Sequence, residues 1–534
     1  MKIRDFTWSN YRRLPDGNLQ VRDHLVLVGP NDTGKSSIVR ALNMCLGMAH
    51  AQVGAAVSAR AFTDQALPLT FTVTLSGIED DDRAAFPDEI TVGPPDLLVV
   101  ALEANLDPVD PDQKTVRRYF PDGGHGRAPT KNQLKAIGFQ FVPAARSLLR
   151  ELGGGTGGAV RSLLSGLDLA ADAPALATAA DAYRTAIDGS AALGEFRGEL
   201  ATALSSALPV PVPKEHVRVV SEAEALDDPL SGVTVTIRDG DHHAPLAEQS
   251  DGIRALSVLA LLGMSHKTAK IVAVDEPETH LHPTAQRSIS RSLRAGGGQR
   301  VLVTHSPSVV AEMNPMDVVA FRADRQARQL PADAAIVAPE TMVRHWSNTL
   351  IEPLTARRVM LVEGVSDRIL LVRVAELTGI DLNRLGIAVL DLGGAGLFSN
   401  AYRIFGPGGF DVPLCGLVDE DARAAWVDEV GVAPDDLQAH GYIVCDPDLE
   451  GVYIDALGID VVLAMLLASP LTGERSILDA SGAAAIADIT RGQLWAYCRH
   501  GKRKVPAALA VAASIDTAQA NALTPITQLL ALAS

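Results

Sequence analysis

Gly29 to Ser36 reads GPNDTGKS, a full match to G-x-x-x-x-G-K-[ST]. Two glycines at that spacing let the backbone curl until its N–H groups face one anion, and a helix opening directly after them adds the positive end of its dipole. Lys35 would reach the β- and γ-phosphates of a nucleotide and Ser36 would ligate Mg²⁺, with Asn31, Gly34 and Ser37 completing the loop. A carboxylate pair, Asp275–Glu276, stands at the end of the apolar run IVAV. Asp275 would hold the Mg²⁺ through water, and Glu276 would orient and deprotonate the attacking water. A third set of acids, Glu363, Asp367, Asp419 and Asp421, also follows apolar runs: VMLVEGVSD and CGLVDED. Gathered at one edge, these four would repel one another unless Mg²⁺ or Mn²⁺ neutralised them, and such an ion would also bind a substrate phosphate.

The elements that must position these groups are legible from periodicity. Leu25–Val28 is a continuous apolar run, expected as a buried strand, and Ile38, Leu42 and Leu46 follow at helical spacing. Residues 1–24 alternate as a hairpin would, and 68–76 and 97–104 read as further strands. Residues 271–275 and 300–305 are expected as buried strands, the latter ending in His305. Apolar runs at 359–362, 387–391 and 415–419, separated by a helical pattern and a glycine turn, predict a βαβ arrangement that brings strand ends to one sheet edge. The fold class expected is α/β, with a P-loop half followed by a Rossmann-like half.

Length and composition bound the class. At 534 residues the chain is too long for one ordinary domain, and 47% hydrophobic content is ample for a core. No run approaches the ~20 apolar residues of a membrane span, so no membrane partner is expected. The N-terminus lacks an apolar leader, and four widely spaced cysteines show no zinc pattern, which together suit a reducing cytoplasm. A net charge of −17 argues against non-specific coating of nucleic acid, while leaving local basic patches and bound cations free to meet phosphates.

Several phrases carry a family resemblance. WSNYRRL ahead of the phosphate loop, S-x-G-x-R at Ser250, Gly252 and Arg254, and DEPETHLHP at 275–283 resemble ABC-class ATPases of the SMC/RecF type. The resemblance implies that Ser250 and Gly252 form a degenerate signature loop capping the γ-phosphate held by the opposite subunit. It also implies that His305 bonds the γ-phosphate and that Gln140 senses metal and γ-phosphate. Arg12 or Arg13 would contact nucleotide or stay solvated. Glu278, His280 and His282 would shape a dimer interface, and no zinc is assigned to them. The combination E-G…D-L-G-G…D-x-D resembles the Toprim domain. An ABC-type ATPase followed by Toprim is similar to the OLD (overcoming lysogenisation defect) family of nucleases, which includes the nuclease subunit of the Gabija anti-phage system. That likeness implies Asp367 as an extra ligand favouring two metals and Glu450 as either a ligand or a solvated loop residue. A late lysine near the scissile phosphate is also implied, with Lys504 the first choice and Lys502 the second.

The organisation expected is an ABC/SMC-like P-loop ATPase in two parts, 1–146 and 213–330, around a helical insertion at 147–212. That insertion is either a dimerisation arm or a plain helical subdomain. A linker at 331–355 then leads to a Toprim domain with C-terminal helices at 356–534. The function expected is an ATP-dependent, Mg²⁺- or Mn²⁺-dependent DNA endonuclease, homodimeric through its ATPase domain, with a helicase as a further partner and a role in phage defence or DNA processing. Two other readings stand: an SMC/RecF-like ATP-dependent clamp without nuclease activity, and an RNA-directed Toprim nuclease.

Overall fold

The structure is a computed structural model. It describes residues 1–107, 113–142, 185–208, 210–221, 233–239, 242–245, 249–250, 252–253, 256, 270–332 and 351–533, with isolated positions 178 and 182. Most of the expected helical insertion and the whole of 333–350 lie outside the described residues. The described residues divide into two compact units, one of Met1–Ala327 and one of those from Arg328 onward.

In the first unit two sheets enclose the helix Lys35–Leu46. One is antiparallel, in the order Gly17–Gln20, Lys2–Ser9, Leu69–Ser76, Leu97–Leu106 and Ile90–Thr91, with Lys114–Tyr119 also on Leu97–Leu106. Leu69–Ser76 alternates buried and half-buried residues without a break, as a strand with one face on the core must. The other sheet has six strands, in the order Ala327–Gln329, Val318–Phe321, Leu25–Val28, Gln299–Val303, Ile271–Asp275 and Phe139–Val142, the last five parallel to one another. Its central strands are buried at every residue, which is why they read as unbroken apolar runs. Ile38, Leu42 and Leu46 of the enclosed helix are fully buried between the sheets.

One polar side chain joins the two sheets. The fully buried Gln299 accepts from the Ile3 N–H at 2.7 Å and donates to the Ile3 and Arg22 carbonyls at 2.9 and 3.0 Å. The described part of the insertion is the helix Ala191–Ala207, which packs Leu200 and Leu204 against Val217 and Ile237 of a separate three-stranded antiparallel sheet.

The second unit holds four parallel strands in the order Ile387–Asp391, Arg358–Val362, Leu414–Asp419 and Tyr442–Cys445. The helix Val365–Leu377 follows Arg358–Val362 and packs on the later helix Gly501–Ser514. Among the described residues no single helix is long and apolar enough to cross a membrane.

Candidate functional site

Two chemical centres form, each at the carboxyl edge of a parallel sheet, where strand ends leave side chains and helix N-termini to meet a ligand. In the first unit Gly29 and Gly34 adopt φ of 143° and 101°. A Cβ at Gly29 would run into the Phe321 carbonyl oxygen, and one at Gly34 would run into the Leu14 side chain. Glycine is therefore required by both backbone conformation and space. The Lys35 ammonium lies over the loop, donating to the Gly29 and Pro30 carbonyls at 2.9 and 2.6 Å. Burial lowers its pKa to about 8, against the pull of Asp275, Glu276 and Glu278. Ser36 Oγ donates to Asp275 Oδ1 at 3.1 Å, so the two groups expected to share Mg²⁺ are adjacent. Burial raises the Asp275 carboxyl above its usual range, and the Ser36 hydrogen bond partly offsets it.

Glu276 takes φ of 52° and anchors its N–H on the Val303 carbonyl at 2.9 Å, which places it in the turn after the strand. Glu278 has a role that motif reading missed. Its carboxylate accepts from the His305 N–H at 2.6 Å and from Thr304 Oγ1 at 2.9 Å, tying the Asp275–Glu276 turn to the His305 strand end. The signal available was a third carboxylate two residues past the pair. The His305 imidazole titrates below its ordinary value, through burial and then the nearby Lys35 charge. Arg12 Nη1 reaches Ser37 Oγ at 3.5 Å and Arg13 Nη1 reaches Asp32 Oδ2 at 3.2 Å, so both arginines stand at the loop. Asn31 is an exposed loop residue.

Gln140 is not brought to this edge. It pairs with Val272, three residues before Asp275, which is about 10 Å back along the strand. Ser250 caps the Ile253 N–H at 3.4 Å, and Gly252 lies beside the His280 carbonyl. Arg254 lies outside the described residues.

In the second unit Glu363, Asp419 and Asp421 each offer a carboxylate oxygen, all within 4.8 Å of one another. Asp419 ends its buried strand, and Asp421 sits two residues on in the turn closed by the Ala422 N–H on the Asp419 carbonyl. The Gly394 N–H bonds the Glu363 carbonyl at 3.0 Å, so the D-L-G-G turn braces the glutamate's backbone. Burial first, and the Glu363 charge second, push Asp419 up to about 9. A crowded all-oxygen donor set in which Asp419 resists ionising suits a hard divalent cation.

Asp367, expected as an extra ligand, stands in the first turn of the helix Val365–Leu377. Its Oδ2 accepts from the Gly364 N–H at 2.8 Å, closing a cap on its own helix, and its Oδ1 accepts from Ser366 Oγ at 3.2 Å. The three-residue spacing from Gly364 favours this cap, and Asp367 falls outside the close group of three. Glu450 is 1% exposed in the first turn of the helix Leu449–Leu457, not in a solvated loop. Burial raises it to about 7, against the pull of Lys504. Lys504 Nζ lies 3.5 Å from Glu450 Oε2 and 4.0 Å from Asp367 Oδ1. Burial disfavours its charge, but Asp367, Glu450, Asp419 and Glu363 outweigh that and hold its pKa above the ordinary lysine value. Lys502 is exposed and points to no such cluster among the described residues.

Comparison with known proteins gives matches to both units. Residues 354–421 match the family "Overcoming lysogenization defect protein-like, TOPRIM domain", and residues 167–311 match "AAA domain, putative AbiEii toxin, Type IV TA system". The OLD nuclease of Thermus scotoductus is 24% identical over 419 residues, covering 72% of this chain and 76% of that protein. Among solved structures, the SMC head domain from Thermotoga maritima aligns with 62% of this chain and 100% of its own at 15% identity and a TM-score of 0.33. The C-terminal region of the Burkholderia pseudomallei OLD protein aligns with 34% of this chain and 99% of its own at 21% identity and a TM-score of 0.27.

Proposed function

We propose that this chain, an OLD-family protein joining an ABC-type ATPase to a Toprim domain, is an ATP-dependent, divalent-metal-dependent DNA endonuclease. The observation that carries the reading is the meeting of Glu363, Asp419 and Asp421 within 4.8 Å, in the unit where Lys504 is held on Asp367 and Glu450. A divalent cation, Mg²⁺ or Mn²⁺, held by those three carboxylates supplies the charge that neutralises a phosphodiester and makes water a better nucleophile. Asp419 resists ionising in its buried place beside Glu363, which favours taking up such an ion. Lys504, kept charged by its carboxylate neighbours, stabilises negative charge growing on the phosphate. A two-metal version of the site would draw on Asp367 and Glu450 as well.

In the ATPase unit Lys35 and the loop N–H groups grip the phosphates, Ser36 and Asp275 hold Mg²⁺, and Glu276 serves as general base. A homodimer formed through the ATPase units would bring Ser250 and Gly252 of one copy to the nucleotide of the other. Gly252 already stands beside the loop that follows Glu276. The wider reading is action on DNA in the cytoplasm, in phage defence or DNA processing, with a helicase as a further partner.

The test is supercoiled plasmid with Mg²⁺ or Mn²⁺, with and without ATP, beside the Glu363→Gln and Glu276→Gln proteins. Wild type should nick or linearise the plasmid, and Glu363→Gln should not. Glu276→Gln should lose ATP turnover by about 10²-fold or more while still binding ATP. Product that persists in Glu363→Gln sinks the assignment. ATP turnover with no cutting by wild type would favour a DNA clamp, and preference for structured RNA in competition would favour an RNA-directed nuclease.

A further inference from the structure

The helix Arg491–Arg499 ends one residue before the helix that carries Lys504. Near its end is a built shelf. Asp448 is 3% exposed and caps the Gly451 N–H at 2.8 Å. Both of its oxygens accept from Trp495 Nε1, at 2.8 and 3.0 Å, which fixes the indole plane. Two guanidinium groups lie against this ring, Arg499 at 4.7 Å and Arg491 at 5.8 Å from its centroid.

The two arginines differ in what satisfies them. Arg491 forms a bidentate pair with Asp455 at 2.9 and 2.7 Å, so its fork is occupied. Arg499 lies 3.6 Å from Asp421 and 3.5 Å from Asp448 as ion pairs, and its guanidinium makes no hydrogen bond among the described residues. Its side chain is 45% exposed. The pair with Asp421 is exposed on both sides and contributes little to stability, while the pair with Asp448 is made to a buried carboxylate. A planar fork stacked on an aromatic ring, with donors still to place, is the form that recognises phosphate.

We propose that Arg499 is a substrate-binding residue of this nuclease, donating to a non-bridging phosphate oxygen of the nucleic-acid backbone beside the Glu363–Asp419–Asp421 group. The proposal rests on the nuclease reading above and adds a specific grip to it. Lys504 and Arg499 then serve different oxygens from the two sides of one helix junction. In a chain of net charge −17, such a local cation is also what brings a polyanion to a carboxylate site. Trp495 and Asp448 act as the positioning pair beneath it.

The experiment is equilibrium binding of a fluorescent DNA duplex to the 534-residue chain in Ca²⁺, over a series of salt concentrations. Wild type is compared with Arg499→Ala, Arg499→Lys and Arg491→Ala. Losing one phosphate contact lowers the slope of log affinity against log salt by about 1 and weakens binding at low salt by about tenfold. Arg499→Ala should show both while remaining folded by circular dichroism, since Asp448 keeps its bonds to Trp495 and Gly451. Arg499→Lys should keep the slope and lose part of the affinity, because an ammonium supplies charge without the fork. Arg491→Ala should match wild type. Wild-type slope and affinity in Arg499→Ala overturn the proposal and leave the nuclease reading standing. Failure of wild type itself to bind the duplex overturns both.

Discussion

Lys504 stands where charge bookkeeping in the second unit is tightest, 3.5 Å from one buried carboxylate and 4.0 Å from another. Replacing it with methionine removes the only cation paired with Glu450 among the described residues. Burial already holds Glu450 at about 7, above its unfolded value, with the lysine in place. A carboxyl raised on folding favours the native state below its unfolded pKa and loses that advantage as pH rises through its folded pKa. Without Lys504 the folded pKa climbs further. The melting-temperature deficit of Lys504→Met should therefore be small near pH 5 and grow steadily to pH 8.5. A deficit that stays constant with pH would refute the pairing. DNA cleavage by the same variant should fall by about 10²–10³-fold in a plasmid assay at fixed pH. Glu278 offers a parallel case in the first unit. Glu278→Ala strands the His305 N–H and the Thr304 hydroxyl, so ATP turnover should drop by about tenfold or more while Lys35-dependent nucleotide binding persists.

At the scale of elements, the phosphate loop is held from outside as much as by its own sequence. Gly29 packs on the carbonyl of Phe321, in a strand almost three hundred residues away, and Gly34 packs on Leu14. Gly29→Ala should destabilise the first unit by about 2–4 kcal/mol, because an unfavourable φ and a backbone clash act together. Denaturant titration would show it as a lowered midpoint, and a change under about 0.5 kcal/mol would contradict the packing. The helix after the loop is fastened at its other end as well. The buried Arg118 donates to the Met44 and Met48 carbonyls at 3.0 and 2.8 Å, satisfying C-terminal groups that sequence assigns to no partner.

For the molecule as a whole, the two centres should respond to different ligands. Nucleotide with Mg²⁺ should raise the melting midpoint of the unit Met1–Ala327, and Mn²⁺ alone should raise that of the C-terminal unit. At a hundredfold excess over Kd each gain is about 2.7 kcal/mol, or several degrees. Lys35→Ala should abolish the first shift, Glu363→Gln the second, and chelator should reverse the second in wild type. A Mn²⁺ shift that survives in Glu363→Gln would place the cation elsewhere.

The sequence by itself determined the two-centre plan. Short unbroken apolar runs rich in β-branched residues read as strands buried on both faces, which set Asp275, Glu276, Glu363 and Asp419 at or just past strand ends. The glycine spacing likewise required a curled loop before a helix. These are local facts, carried by periodicity and backbone freedom. Tertiary structure decided what each polar group meets. It set Gln140 three residues back from Asp275, turned Asp367 toward the cap of its own helix, and buried Glu450. Of the two candidate lysines, it gave Lys504 to the carboxylates and left Lys502 to solvent. Glu278, Gln299 and Arg499 gained roles because residues distant in sequence supply their partners. Pairing across such distances depends on register and on the angle at which helices leave a sheet, and no local pattern of residue types encodes either.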